Sequence, residues 1–151
     1  MKLLHEVYSG PAWHGPSLKE SLAGVTAEVA ARKPGPDRNS IWDLVLHLAH
    51  GRHLLIERIN DAPSAEFPRR LREPWWPVAA EDTSEASWQA DLAMLDEYQE
   101  RLLDAVRRAT PAQLERVPQG AEHSVREQLL GMAVHDGYHA GQIRLMTLLD
   151  Q

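Results

Sequence analysis

At 151 residues, 43% apolar and 25% charged, the chain has the length of one domain, residues 1–151, and can bury a core without staples. A formal charge of −6 argues against a phosphate backbone as the main partner, so no nucleic acid is expected. The absence of cysteine excludes disulfides, thiolate metal ligands and a cysteine nucleophile together.

Any transition-metal site must then be built from histidine and carboxylate. No apolar run approaches the roughly 18–20 residues that span a bilayer. Met1-Lys2-Leu3-Leu4-His5-Glu6 has no uninterrupted apolar stretch of the kind a secretory signal carries. Neither a membrane contact nor export is expected, and the reading is a cytoplasmic domain.

Residues 2–8 predict a short helix, stopped by Ser9-Gly10-Pro11, and residues 12–17 a turn punctuated by Gly15 and Pro16. Residues 18–25 form a second helical run with Leu18, Leu22 and Val25 on one face. Residues 26–31 extend it up to Lys33-Pro34-Gly35-Pro36, which cannot continue a helix. Ser40 is a natural N-cap with Asp43 at N3, opening a helix that runs to about Ile59. Residues 61–83 hold four prolines and the pair Trp75-Trp76. So long a connection is commonly functional, and it predicts one tryptophan in packing and the other in a pocket wall. Thr83 or Ser84 caps a long helix through Arg108, and Thr110-Pro111 starts a short one. Ser124 and Glu127 make a capping box for a last helix reaching about Leu149. With no alternating β-branched run, the fold class is all-α, a four-helix bundle with a long connection between its long helices.

His135 and His139 lie four residues apart in that last helix, about 40° apart in direction, on the side that carries Met132, Ile143 and Met146. Two imidazoles aimed inward are hydrogen-bonded core residues or part of a metal site. A third donor is available in His47-Leu48-Ala49-His50-Gly51-Arg52-His53. With Ile41 at the centre of the apolar stripe, His50, Asp43 and Glu57 fall on the solvated side. His47 and His53 fall on opposite flanks, and periodicity does not choose between them.

The segments Ser40-Ile41-Trp42-Asp43-Leu44-Val45-Leu46-His47-Leu48-Ala49 and His135-Asp136-Gly137-Tyr138-His139-Ala140-Gly141-Gln142-Ile143 resemble the motifs of the DinB/YfiT-like family of small metal-binding helical bundles. The Trp13-His14 turn and the tryptophan-proline segment before Trp88 support a resemblance that spans nearly the whole chain. It implies a metal triad of His47, His135 and His139, and a divalent ion described in such proteins as zinc or nickel. It also implies a small-molecule substrate. Relatives include S-transferases that use a low-molecular-weight thiol such as bacillithiol or mycothiol, and others labelled hydrolases. A homodimer is expected from the resemblance and from the five tryptophans.

Around the triad, Asp136 stands in the His-acidic-x-x-His frame of zinc proteases, but it is one methylene short and no strand is available to hold a peptide. It reads instead as a hydrogen-bond partner behind the metal or between helices. Gln142 points close to the His135 direction and shares that reading; Tyr138, about 60° from that direction, has its hydroxyl either serving in the site or capping a core contact, and packing is the favoured reading. His14 reads as a turn histidine. The site is expected to hold at least one non-protein ligand and to face the 74–77 loop or the Trp13-His14 turn. Metal binding is expected to weaken as pH falls through about 6. The alternative is a stress-related metal-binding protein without turnover.

Overall fold

The helix Ile41–Asn60 (α4) is covered on almost every side, and the rest of the chain is wrapped to cover it. In the computed structural model, which describes residues 2–149, it is preceded by three short helices. These are α1 (Lys2–Ser9), α2 (Leu18–Leu22) and α3 (Ala27–Ala31). It is followed by a small antiparallel hairpin, β1 (Leu71–Glu73) and β2 (Trp76–Pro77). Then come α5 (Glu85–Arg108), α6 (Pro111–Glu115) and α7 (Val125–Leu149). The described residues are mostly helical, as the sequence predicts.

Side-chain caps set the helix boundaries. Ser40 Oγ accepts the Asp43 N–H at 3.1 Å, and Asp43 returns a carboxylate oxygen to the Ser40 N–H at 2.9 Å. The same reciprocal bonds join Ser17 with Glu20, Thr110 with Gln113 and Ser124 with Glu127. Each satisfies two backbone groups that a helix start leaves free. Ser84 rather than Thr83 caps α5. The helical run expected over residues 18–31 is broken in two. Ala23 and Gly24 leave the helical region, and Thr26 caps a fresh start for α3.

Trp42 on α4 and Trp88 on α5 meet at 5.2 Å between ring centroids, both fully buried. Their indole N–H groups are satisfied by the Asp91 carboxylate and the Val25 carbonyl, each at 2.8 Å. Deeper along α4, Arg52 is fully enclosed. It donates to Gln99 on α5 at 2.8 Å and to the Asp136 carboxylate on α7 at 2.6 Å. One guanidinium thus ties three long helices together. Burial pushes the Asp136 carboxyl up from its ordinary value, and the Arg52 charge opposes that push.

Two residues placed on the solvated side by periodicity are buried. His50 is 3% exposed, and Asp43 is enclosed within its own cap. His50 lies under Phe67 of the connection, ring centroids 4.9 Å apart, and His53 packs against Phe67 and Tyr98. The long connection folds back over the polar face of α4 and covers His50 and His53 there.

Candidate metal centre

α4 and α7 run antiparallel, which brings position 47 against positions 135 and 139. His47 Nε2 lies 3.0 Å from His135 Nε2, and His139 Nε2 lies 2.9 Å from it. Ligand atoms of the three residues all fall within 4.8 Å of one another. Among the described residues no carboxylate and no other histidine joins this group. His53 is packed elsewhere and His50 is not part of the cluster.

The outer nitrogens fix the tautomers. His47 Nδ1–H donates to the Trp75 carbonyl at 2.8 Å, and His139 Nδ1–H donates to Gln142 Oε1 at 2.6 Å. Each ring, being neutral, must then carry a bare lone pair on Nε2. Both lone pairs converge on His135 Nε2, which can offer one proton at most and so can satisfy one of them. Three imidazole nitrogens with two bare lone pairs aimed at one point suit a divalent cation better than a hydrogen-bonded core. Gln142 is itself oriented, its amide N–H donating to Tyr138 Oη at 3.1 Å.

Burial keeps these rings neutral. It pushes His47 below the usual histidine range against the Trp75 hydrogen bond. His135 is pushed down to about 4 by burial and then by the neighbouring imidazoles. Burial takes His139 to about 4 as well, with the Gln142 hydrogen bond opposing. Protons therefore compete for the cluster at a lower pH than the value near 6 expected from free imidazole.

The cluster sits in the wall of an open cleft of about 690 Å³. Trp76 forms one side, its ring stacked on His47 at 4.4 Å, and Tyr138 and Leu145 line the α7 side. Asp37, Arg38 and Asn39 from the loop before α4 supply the polar rim. Sequence reading missed those three, since nothing in a Pro- and Gly-rich loop marks where it will lie. Of the two expected borders, the tryptophan loop is present and the Trp13-His14 turn is not. Trp13 is 91% exposed, and it contacts the His14 ring edge-on.

The tryptophan pair divides its work in an unexpected way, Trp76 by its ring and Trp75 by its carbonyl. Asp136, expected behind the metal or between helices, is the interhelical partner of Arg52. Tyr138, read as a packing residue, is 62% exposed at the cleft with its hydroxyl on Gln142. The short spacing between positions 138 and 142 was the available signal.

A largely helical chain presenting three convergent imidazoles at an open cleft has the site of a metal-binding helical protein. The chain belongs to the DinB superfamily, whose family model matches residues 13–143. No curated protein and no solved structure matches it.

If Gln142 orients His139, Gln142→Leu should weaken metal binding by about 10–100-fold without altering the fold, as losing a partner behind a ligand does. Competition titration with a chromogenic chelator measures this, and an unchanged affinity contradicts the role.

A pH effect on the metal-free protein follows from the same burial. His50, His135 and His139 are all held near 4 when folded and titrate near 6.5 when unfolded. A depressed folded value means that the unfolded chain takes up the protons first. The associated stability is complete above about 6.5 and is lost as pH falls toward 4. The melting temperature should drop over that window, by about 2–4 °C for each kcal/mol lost. The helix caps last longer, because the Ser124 backbone N–H holds Glu127 below the usual carboxylate range. A melting temperature flat from pH 7 to 4.5 contradicts this.

Proposed function

We propose that this chain is a metal-dependent enzyme acting on a small molecule, with one divalent ion, zinc or nickel, held by His47, His135 and His139. The observation that supports the reading best is the open cleft at a three-nitrogen cluster with no fourth protein ligand among the described residues. Structural metal sites are closed by four protein ligands, whereas catalytic ones keep a position free. When bound, an ion carried by three neutral imidazoles keeps its full charge and supplies the Lewis acidity that makes a thiol or water nucleophilic at neutral pH.

The chain's own residues do the rest. Trp75 and Gln142 hold His47 and His139 with their lone pairs inward. Trp76 and Leu145 give the cleft apolar surface beside the imidazoles. Arg38 offers a cation at the rim for an anionic substrate group, and Tyr138, its ring centroid 5.1 Å from that of His139 and its hydroxyl on Gln142, offers an O–H at the cleft. Without a cysteine of its own, the chain would take any thiol from a cosubstrate, and we favour thiol-dependent S-transfer over hydrolysis. Screening the metal-loaded protein for conjugation of a low-molecular-weight thiol to electrophiles, beside ester and amide hydrolysis, tests this. Turnover that needs both metal and His139 supports an enzyme; metal binding without turnover of any of these substrates favours the storage or stress reading.

We read the packing of α4, α5 and α7 with the N-terminal helices as the four-helix bundle, in a cytoplasmic protein. No helix among the described residues is long and apolar enough to cross a membrane. We also propose a homodimer, on different grounds from the tryptophan count, since Trp42 and Trp88 are spent in the core. Leu130, Val134 and Leu148, on α7 outside the lining of the cleft, are exposed apolar residues that a second copy would cover, leaving Tyr138 and Leu145 to the cleft. Sedimentation should give a dimer at micromolar concentration, and Val134→Glu should shift it to monomer; a wild-type monomer there ends the idea.

A further inference from the structure

His47 and His135 face two clefts rather than one. A separate groove of about 420 Å³ shares only these two residues with the wide cleft and runs between α4 and α7. Its course follows the antiparallel pairing of the helices. His47 faces His135, Gly51 comes against Met132, and Arg58 hydrogen-bonds Gln128. At 1.5 Å per residue the groove extends about 10 Å along α7 and about 16 Å along α4.

Glycine keeps it open. A Cβ on Gly51 would meet the Met132 methyl at 3.3 Å, and one on Gly131 would stand in empty space within the groove. The walls are apolar, from Leu54, Leu55 and Met132, and Trp75 borders the histidine end. The far end is different. Arg58 and Gln128 close it, and the Arg58 guanidinium donates to the Gln128 amide oxygen with no carboxylate beside it among the described residues. A half-buried guanidinium at the end of an apolar slot is complementary to a carboxylate, which it binds through two parallel hydrogen bonds.

We propose that this groove is a second ligand subsite for an apolar chain or ring with a terminal carboxylate. Arg58 takes the carboxylate, and the apolar end lies against His47 and His135. The significance of the subsite rests on the three-histidine reading, for it would deliver one reactant to the centre from a separate side while the wide cleft takes the other. Its existence does not depend on metal, and the test is arranged accordingly.

The probes are octanoate and 1-octanol, titrated calorimetrically into chelator-treated wild-type protein, so that no metal competes for the carboxylate. Wild type should bind octanoate at least about tenfold more tightly than 1-octanol, the worth of a charge-assisted pair. Arg58→Gln should erase that preference and leave 1-octanol unaltered. Gly131→Leu, which fills open space and favours the helix, should weaken both probes at least tenfold. Both variants should melt no lower than wild type and keep wild-type metal affinity, so a failed metal centre and a failed groove give different results. No octanoate binding by wild type, an octanoate preference that survives Arg58→Gln, or probe affinities unaltered by Gly131→Leu would overturn the proposal.

Discussion

Replacing His139 with alanine is expected to abolish stoichiometric metal binding while the protein stays folded. Losing a residue that merely orients a ligand costs about 10–100-fold in affinity. Loss of a ligand itself, where only three are present, should exceed that range. His47→Ala and His135→Ala should behave alike, because each removes one of the three convergent nitrogens. His50→Ala is the control that separates the cluster from histidine content in general. His50 is equally buried, and among the described residues its Nδ1 has no hydrogen-bond partner, but it packs against Phe67 and His53 instead of the cluster. It should cost stability and leave metal affinity intact. Metal content by elemental analysis reads all four variants, and a site emptied by His50→Ala but filled in His47→Ala would refute the assignment.

The second large effect is on stability. Arg52→Met should destabilise the protein by about 3–5 kcal/mol, because it leaves the Asp136 carboxylate enclosed without its partner. Asp136→Leu should do the same to the guanidinium, which would keep neutral acceptors at Gln99, the Leu48 carbonyl and the Met132 sulfur. The double variant should recover much of the loss, since an apolar pair of similar volume often replaces a buried ion pair at little cost. Urea denaturation at pH 7 measures all three. Single variants within about 1 kcal/mol of wild type would mean that the pair is not what ties α4, α5 and α7 together.

Local rules made the helices legible. Ser40, Ser84, Thr110 and Ser124 each stop the chain from continuing as coil by bonding the turn that follows, and that chemistry lies within four residues of sequence. The four-residue step from His135 to His139 was legible for the same reason; Gln142 was placed near the His135 direction, and its bond is to His139 instead. What failed was the inference that His50 and Asp43 face water on one side of α4. His50 and Asp43 fall on its polar face, yet Phe67 and the rest of the 61–83 connection return to cover that face. Such coverage depends on contacts across the fold, and no periodicity within α4 carries it.

The choice between His47 and His53 shows the same limit. Both flank the stripe symmetrically, and what separates them is the neighbour each meets. For His47 this is α7 and the Trp75 carbonyl; for His53 it is Tyr98, Phe67 and the Ser64 hydroxyl. A backbone carbonyl leaves no mark in the sequence, so the group that sets the His47 tautomer could not be foreseen. The resemblance pointed to His47, and the structure brings it to His135 and His139.

The most direct test of the central claim is an anomalous difference map from a crystal of the metal-loaded protein, recorded at the absorption edge of the bound ion. The account predicts one peak per chain at about 2.0–2.1 Å from the Nε2 atoms of His47, His135 and His139, with its remaining ligands not supplied by protein. A peak elsewhere, a fourth protein side chain closing the sphere, or no peak after loading would contradict it.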